Sequence, residues 1–119
     1  MRCGTPGYVA PEILKIRDLH NVRLGLASDM FSLGAIYYQL IYGKALFPGQ
    51  DQNEVLMLNR QCRIKITPKE GLGYGEIELL CNMLQYDPNC RIAPDEALKT
   101  TFLQDKKQIF LRTLQPIEP

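Results

Sequence analysis

The stretch Met30–Tyr42 (MFSLGAIYYQLIY) constrains the fold more than any other feature, because ten of its thirteen positions are apolar. A helix that is apolar on every side needs neighbours on every side. Ser28 reads as its N-cap, and Asp29 sits favourably near the positive end of the helix. Gly43 is a natural stop. The spacing therefore predicts a buried helix over Asp29–Tyr42 that is about 21 Å long. The run falls short of the roughly 20 apolar residues that a membrane span needs.

The other segments are shorter. Tyr8–Leu14 reads as a short helix with Pro11 in its first turn, where a missing N–H costs little. Lys15–Ala27 has no sustained period and reads as a surface connection. Asp51 and Glu54 have the spacing of a capping box, ahead of a helix carrying Val55–Leu58. Arg63–Pro68 alternates over too few residues to define a strand, and Gly71, Gly73 and Gly75 form a link. Ile77, Leu80, Cys81 and Leu84 follow the i, i+3, i+4, i+7 pattern of an amphipathic helix, which Asp87-Pro88 ends. Pro94 opens another short helix, Phe102–Leu114 forms a last one, and Gln115–Pro119 frays. The class is all-α. The flanking helices have modest apolar stripes, so a chain of 119 residues is a small supply of cover for its central helix. The expectation is that it belongs to something larger.

Composition removes several classes of function. Fourteen basic residues against thirteen acidic ones give a net charge of +1, which offers no electrostatic case for nucleic acid or a membrane surface. Cys3, Cys62, Cys81 and Cys90 show no C-x-x-C spacing, and His20 is the single histidine. Free thiols in a reducing compartment are expected, with no metal site, and Cys81 acts as a small buried hydrophobe. MRCGTPGY contains no apolar signal core, so a cytoplasmic or nuclear location is expected.

Three motifs then occur in order. Residues 3–12 read CGTPGYVAPE, residues 29–34 read DMFSLG, and residues 84–92 read LQYDPNCRI. They resemble, respectively, the G-T-P-x-Y-x-A-P-E that ends the activation segment of eukaryotic Ser/Thr protein kinases, the D-x-W-S-x-G that opens the central helix of the C-lobe, and the L-x-x-D-P-x-x-R before its last helices. The first is most similar to the calcium/calmodulin-dependent and related branches. The resemblance covers roughly Cys3–Leu103. It implies that the chain is the helical C-lobe portion of a protein-kinase-like fold. Residues 1–119 would be a partial kinase domain running from the end of the activation segment to the last C-lobe helices, with about 104–119 as a C-terminal tail.

The resemblance also implies roles. Glu12 and Arg91, 79 residues apart, match an ion pair that ties the activation segment to the late helices. Asp29 matches the residue that anchors the catalytic loop. Thr5 matches the Thr whose hydroxyl reaches the catalytic Asp and Lys. Gly4, Thr5, Pro6, Gly7 and Val9 would form the wall against which the peptide residue after the phosphoacceptor packs. Ile36 and Leu40 match positions under the hydrophobic column that adenine completes, although core packing alone accounts for them. Gln39 stands where kinases that select arginine before the target often carry Glu, so weaker arginine selection is expected. Two departures are Phe31 in place of Trp and Thr100-Thr101-Phe102 in place of His-Pro-Phe.

Phosphoryl transfer needs a Gly-rich loop, a Lys–Glu pair, the H-R-D Asp, and an Asn and the D-F-G Asp for Mg²⁺. In the family all lie upstream of G-T-P-x-Y, and none occurs in this sequence. Gly71–Gly75 has neither the spacing nor the strand context of a phosphate loop. No catalytic residue is therefore expected here, and no activity from the chain alone. ATP and Mg²⁺ are implied for an intact parent kinase and are not expected to bind this piece. The implied partners are a protein substrate and the remainder of the kinase domain. Three readings stay open: a piece of a longer active kinase, a short non-catalytic binding module acting through protein–protein contacts, or an unrelated all-α structural domain.

Overall fold

The computed structural model describes residues 5–15 and 25–114. Cys3, Gly4, His20, most of the Lys15–Ala27 connection and the Gln115–Pro119 end lie outside the described residues. Among the described residues six helices follow in order: α1 (Pro11–Leu14), α2 (Leu26–Tyr42), α3 (Gln52–Gln61), α4 (Tyr74–Met83), α5 (Pro94–Leu98) and α6 (Thr101–Thr113). No strand occurs among the described residues, and Arg63–Pro68 runs without a ladder.

Helix α2 is longer than its sequence signals imply. It spans 17 residues and starts at Leu26, with Gly25 as N-cap and no side-chain cap bond. Ser28 is therefore not a cap: it lies inside the first turn, and its hydroxyl is turned to Glu12. Gly43 does end the helix, donating its N–H to Gln39 O at 2.9 Å. Asp51 caps α3 by accepting from Glu54 N at 2.9 Å, while the Glu54 carboxylate reaches back to Gln50 N at 3.1 Å, one residue before the cap. Helix α4 starts at Tyr74 and ends at Met83, earlier than Asp87-Pro88. In α5, Glu96 accepts from Ala93 N, and in α6 the Thr100 hydroxyl accepts from Leu103 N.

Two apolar clusters hold these elements. The larger joins Val9, Ala10 and Ile13 to Phe31, Tyr38, Phe47, Leu80 and Leu84. The smaller joins Met30, Leu79, Met83 and Ala97. Phe31 and Leu80 are wholly buried, each contributing about 1.5–3 kcal/mol. The α2–α4 crossing is close because Gly34 has no side chain. A Cβ there would stand 2.9 Å from Leu84 Cδ2 and 3.0 Å from Met83 Cβ. Tyr37 in α2 donates to the Glu76 carboxylate of α4 and locks the same crossing. Burial, then that hydrogen bond and the carboxylate charge, push the Tyr37 hydroxyl above its usual range. Tyr42 stacks on Tyr38 at 4.5 Å and donates to Thr67 O at 2.6 Å, which fastens the extended segment to the end of α2.

Helix α2 is nevertheless not buried on every side. Leu33, Ile36 and Leu40 are 53%, 47% and 79% exposed. Their i, i+3, i+7 spacing makes one continuous stripe. Cys81, placed on the apolar face of α4 by its spacing, is only partly covered.

Candidate functional site

Buried polar side chains are costly unless hydrogen-bonded. Among the described residues they are Ser28, Asn59 and Arg91. All three grip the segment that begins at Thr5.

Arg91 lies just beyond the Asp87-Pro88 turn. Its Nη1 donates to Glu12 Oε2 at 2.7 Å and its Nη2 to Glu12 Oε1 at 3.0 Å, a fork-to-fork pair. Nη1 also donates to Ala27 O at 2.7 Å, Nη2 to Gln85 O at 2.8 Å and Tyr86 O at 3.2 Å, and Nε to Gln85 O at 3.0 Å. The Ser28 hydroxyl adds a third bond to the carboxylate at 2.9 Å. The guanidinium also stands 5.1 Å from the Phe31 ring centroid, within cation–π range. One side chain thus joins α1, the start of α2 and the loop after α4. Burial alone would raise the Glu12 carboxyl. The Arg91 hydrogen bond, the bonds from its own backbone and Ser28, and the Arg91 charge outweigh that and hold it below the usual 4.5.

The second grip comes from α3. Asn59 is 0% exposed. Its Oδ1 accepts from Gly7 N at 2.9 Å and its Nδ2 donates to Val9 O at 2.8 Å. The sequence carries no local signal for this residue, since an Asn in an amphipathic helix reads as a solvated polar position. Gly7 itself has φ +94°, a region L side chains rarely adopt, and a Cβ there would meet Val55 Cγ1 at 3.2 Å. Tyr8 N donates to Thr5 O at 3.1 Å, closing a turn.

The loop so held forms one wall of an open cleft of about 540 Å³, and α2 forms the other. Thr5, Tyr8 and Val9 line the loop side; Asp29, Ser32 and Gln39 line the helix side. Thr5 and Asp29 are exposed, Pro6 is half-buried, and Gly7 and Val9 are buried. Tyr8 donates its hydroxyl to Gln39 Oε1 across the cleft. The structure thus brings together Thr5, Pro6, Gly7, Val9, Asp29 and Gln39, and sets the Glu12–Arg91 pair behind them. Among the described residues the lining holds one carboxylate, Asp29, and no basic side chain. The cleft can take a chain segment by apolar contact and hydrogen bonding.

A second, almost wholly apolar groove of about 400 Å³ runs along the exposed stripe of α2. Met30, Leu33, Ile36 and Leu40 form one side, and Leu79 and Leu103 the other.

Comparison with known proteins supplies a context. The family model described as "Protein kinase domain" matches residues 1–103. A probable serine/threonine-protein kinase 2 of Plasmodium falciparum is 36% identical over 100 residues, which is 82% of this chain and 19% of that protein. The phosphorylase b kinase gamma catalytic chain, liver/testis isoform, of Rattus norvegicus is 31% identical over 105 residues, 86% of this chain and 26% of that one. The chain therefore spans about a quarter or less of these relatives. The fold matches the twitchin kinase region from C. elegans with a TM-score of 0.69 and 23% identity, covering 95% of this chain and 18% of that structure.

Proposed function

The chain belongs to the protein kinase domain family, as the helical C-lobe portion of that fold, and on that premise we propose that it provides the substrate-binding platform of a Ser/Thr protein kinase. The single observation that supports this best is the double tether of the Thr5–Val9 loop, by Asn59 from one side and by Glu12–Arg91 from the other. A loop that merely connects elements has no need of three buried polar side chains.

The parent reaction is transfer of the ATP γ-phosphate, with Mg²⁺, to a protein Ser or Thr. ATP and Mg²⁺ belong to parts of the parent outside this sequence. The residues here do the holding. Thr5, Pro6, Gly7 and Val9, together with Gly4, which lies outside the described residues, receive the peptide residue that follows the phosphoacceptor. Asp29, exposed and lining the cleft, anchors the catalytic loop of the remaining domain. The apolar stripe Leu33–Ile36–Leu40 receives that remainder. Gln39 offers no charge, and its carboxamide oxygen is already engaged by Tyr8, so an arginine before the target gains little here. The free thiols of Cys62, Cys81 and Cys90 suit a reducing compartment, cytoplasm or nucleus. Among the described residues no helix is long and apolar enough to cross a membrane.

The test is phosphotransfer by the natural protein, captured with an antibody against residues 104–114 and supplied with labelled ATP, Mg²⁺ and a Ser/Thr peptide library. Label on Ser or Thr, without a dominant arginine before it, is the expected result. Capture of a protein that transfers no label would favour the non-catalytic binding module instead.

A further inference from the structure

The buried carboxamide of Asn59 is not explained by holding α3 in place, since that helix has its own apolar contacts through Leu56 and Leu58. We infer that Asn59 is a positioning residue for the substrate-facing loop, setting the backbone of Gly7–Val9 against which the residue after the phosphoacceptor packs; this rests on the platform reading above.

Three features of the geometry support the inference. The carboxamide is a flat group with one acceptor and two donor hydrogens. It engages a backbone N–H and a backbone C=O two residues apart, at 2.9 and 2.8 Å. The opposite amide orientation would set N–H against N–H and O against O, so the pairing admits one sense only. Second, Val55 lies one turn earlier on the same face of α3, and its Cγ1 closes the space where a Gly7 side chain would project. Together the two side chains hold the Gly7 amide in place and crowd any side chain there. Third, the acceptor bond falls between two residues that line the cleft, Thr5 and Val9. A displaced Gly7 therefore moves the cleft wall directly. Asp at this position could not donate to Val9 O, and an apolar side chain would leave both backbone groups buried and unpaired.

The experiment uses the natural full-length protein and the best peptide from the library above. Asn59→Asp and Asn59→Ala are expected to raise the peptide KM by about tenfold, because small misplacements of a positioning surface carry large rate costs. The KM for ATP should stay within about threefold, as uniform binding of the other substrate is untouched. Selectivity for the residue after the phosphoacceptor should flatten. Thr100→Ala, which removes the α6 cap and lies outside the cleft lining, serves as a control that lowers Tm and leaves both KM values in place. Asn59 variants that behave like Thr100→Ala, or that shift both KM values alike, overturn the inference and leave the kinase reading standing. A natural protein that transfers no phosphate overturns both. Should the Asn59 variants fail to fold, hydrogen exchange at the Gly7 amide of the unaltered protein decides. Protection that increases with saturating peptide supports the inference, and exchange insensitive to peptide overturns it.

Discussion

Arg91 has no exposed side-chain surface, while its partner Glu12 keeps 22%. Removing the carboxylate leaves a buried cation facing carbonyls alone. In the natural full-length protein, Glu12→Gln should therefore lower the unfolding free energy by about 3 kcal/mol, measured by urea denaturation at pH 7. The pH dependence follows from the depressed Glu12 carboxyl. Its folded pKa lies below the ordinary 4.5, so its contribution is complete above that value and is lost as pH falls through the folded pKa. The gap between the unaltered chain and Glu12→Gln should close over that range; a gap that persists unchanged under acid would contradict the account. Cysteine chemistry gives a second prediction. Burial chiefly pushes the Cys62 thiol up to about 11, whereas Cys90 is exposed. Alkylation at pH 8 followed by peptide mass mapping should label Cys90 well before Cys62, because the thiolate is the reactive form. At this scale the sequence disclosed the Glu12–Arg91 pairing only because two motifs 79 residues apart occur in order. It could not disclose Asn59, whose partners lie 52 and 50 residues away and belong to the backbone, which leaves no pattern in side-chain types.

Among elements, α2 was the most legible and also the most instructive. Its apolar run marks the helix and Gly43 marks its end, yet the helix begins at Leu26, three residues before the Asp29 start that a Ser28 cap implies. Ser28 has the chemistry of a cap, but the Glu12 carboxylate claims its hydroxyl. A tertiary hydrogen bond overrode a local signal. Asp51 and Thr100 do cap their helices, the Thr100 hydroxyl accepting from Leu103 N while it donates to Ala97 O at 2.7 Å. Arg63–Pro68 alternates, but its fastening is Tyr42 on Thr67 O, not a neighbouring strand. The α2–α4 crossing depends on Gly34, whose added Cβ would press on Met83 Cβ, an atom that cannot move without its helix. Gly34→Ala should accordingly destabilise the natural full-length protein by about 1–3 kcal/mol by thermal or urea unfolding, the usual cost of overpacking a core. An unchanged midpoint would show that the crossing has slack.

At the scale of the whole molecule, α2 leaves the apolar stripe Leu33–Ile36–Leu40 and the groove beside it open among the described residues. An exposed apolar surface of this kind marks an interaction site. Helix α4 packs on one side of the central helix, and the described residues leave this stripe uncovered on another. Isolated residues 1–119 should therefore bind a hydrophobic dye and melt over a broad range, and Leu33→Gln with Leu40→Gln should reduce the dye signal without loss of helix. A sharp, dye-silent transition would mean that the stripe is not an interface.

The most direct measurement is the mass of the natural protein, by immunoblot with the antibody against residues 104–114. A platform that works only beside the catalytic parts of a kinase domain predicts a band well above 13.6 kDa. A single band at 13.6 kDa would contradict the account, because no polypeptide would then join this platform to a catalytic loop.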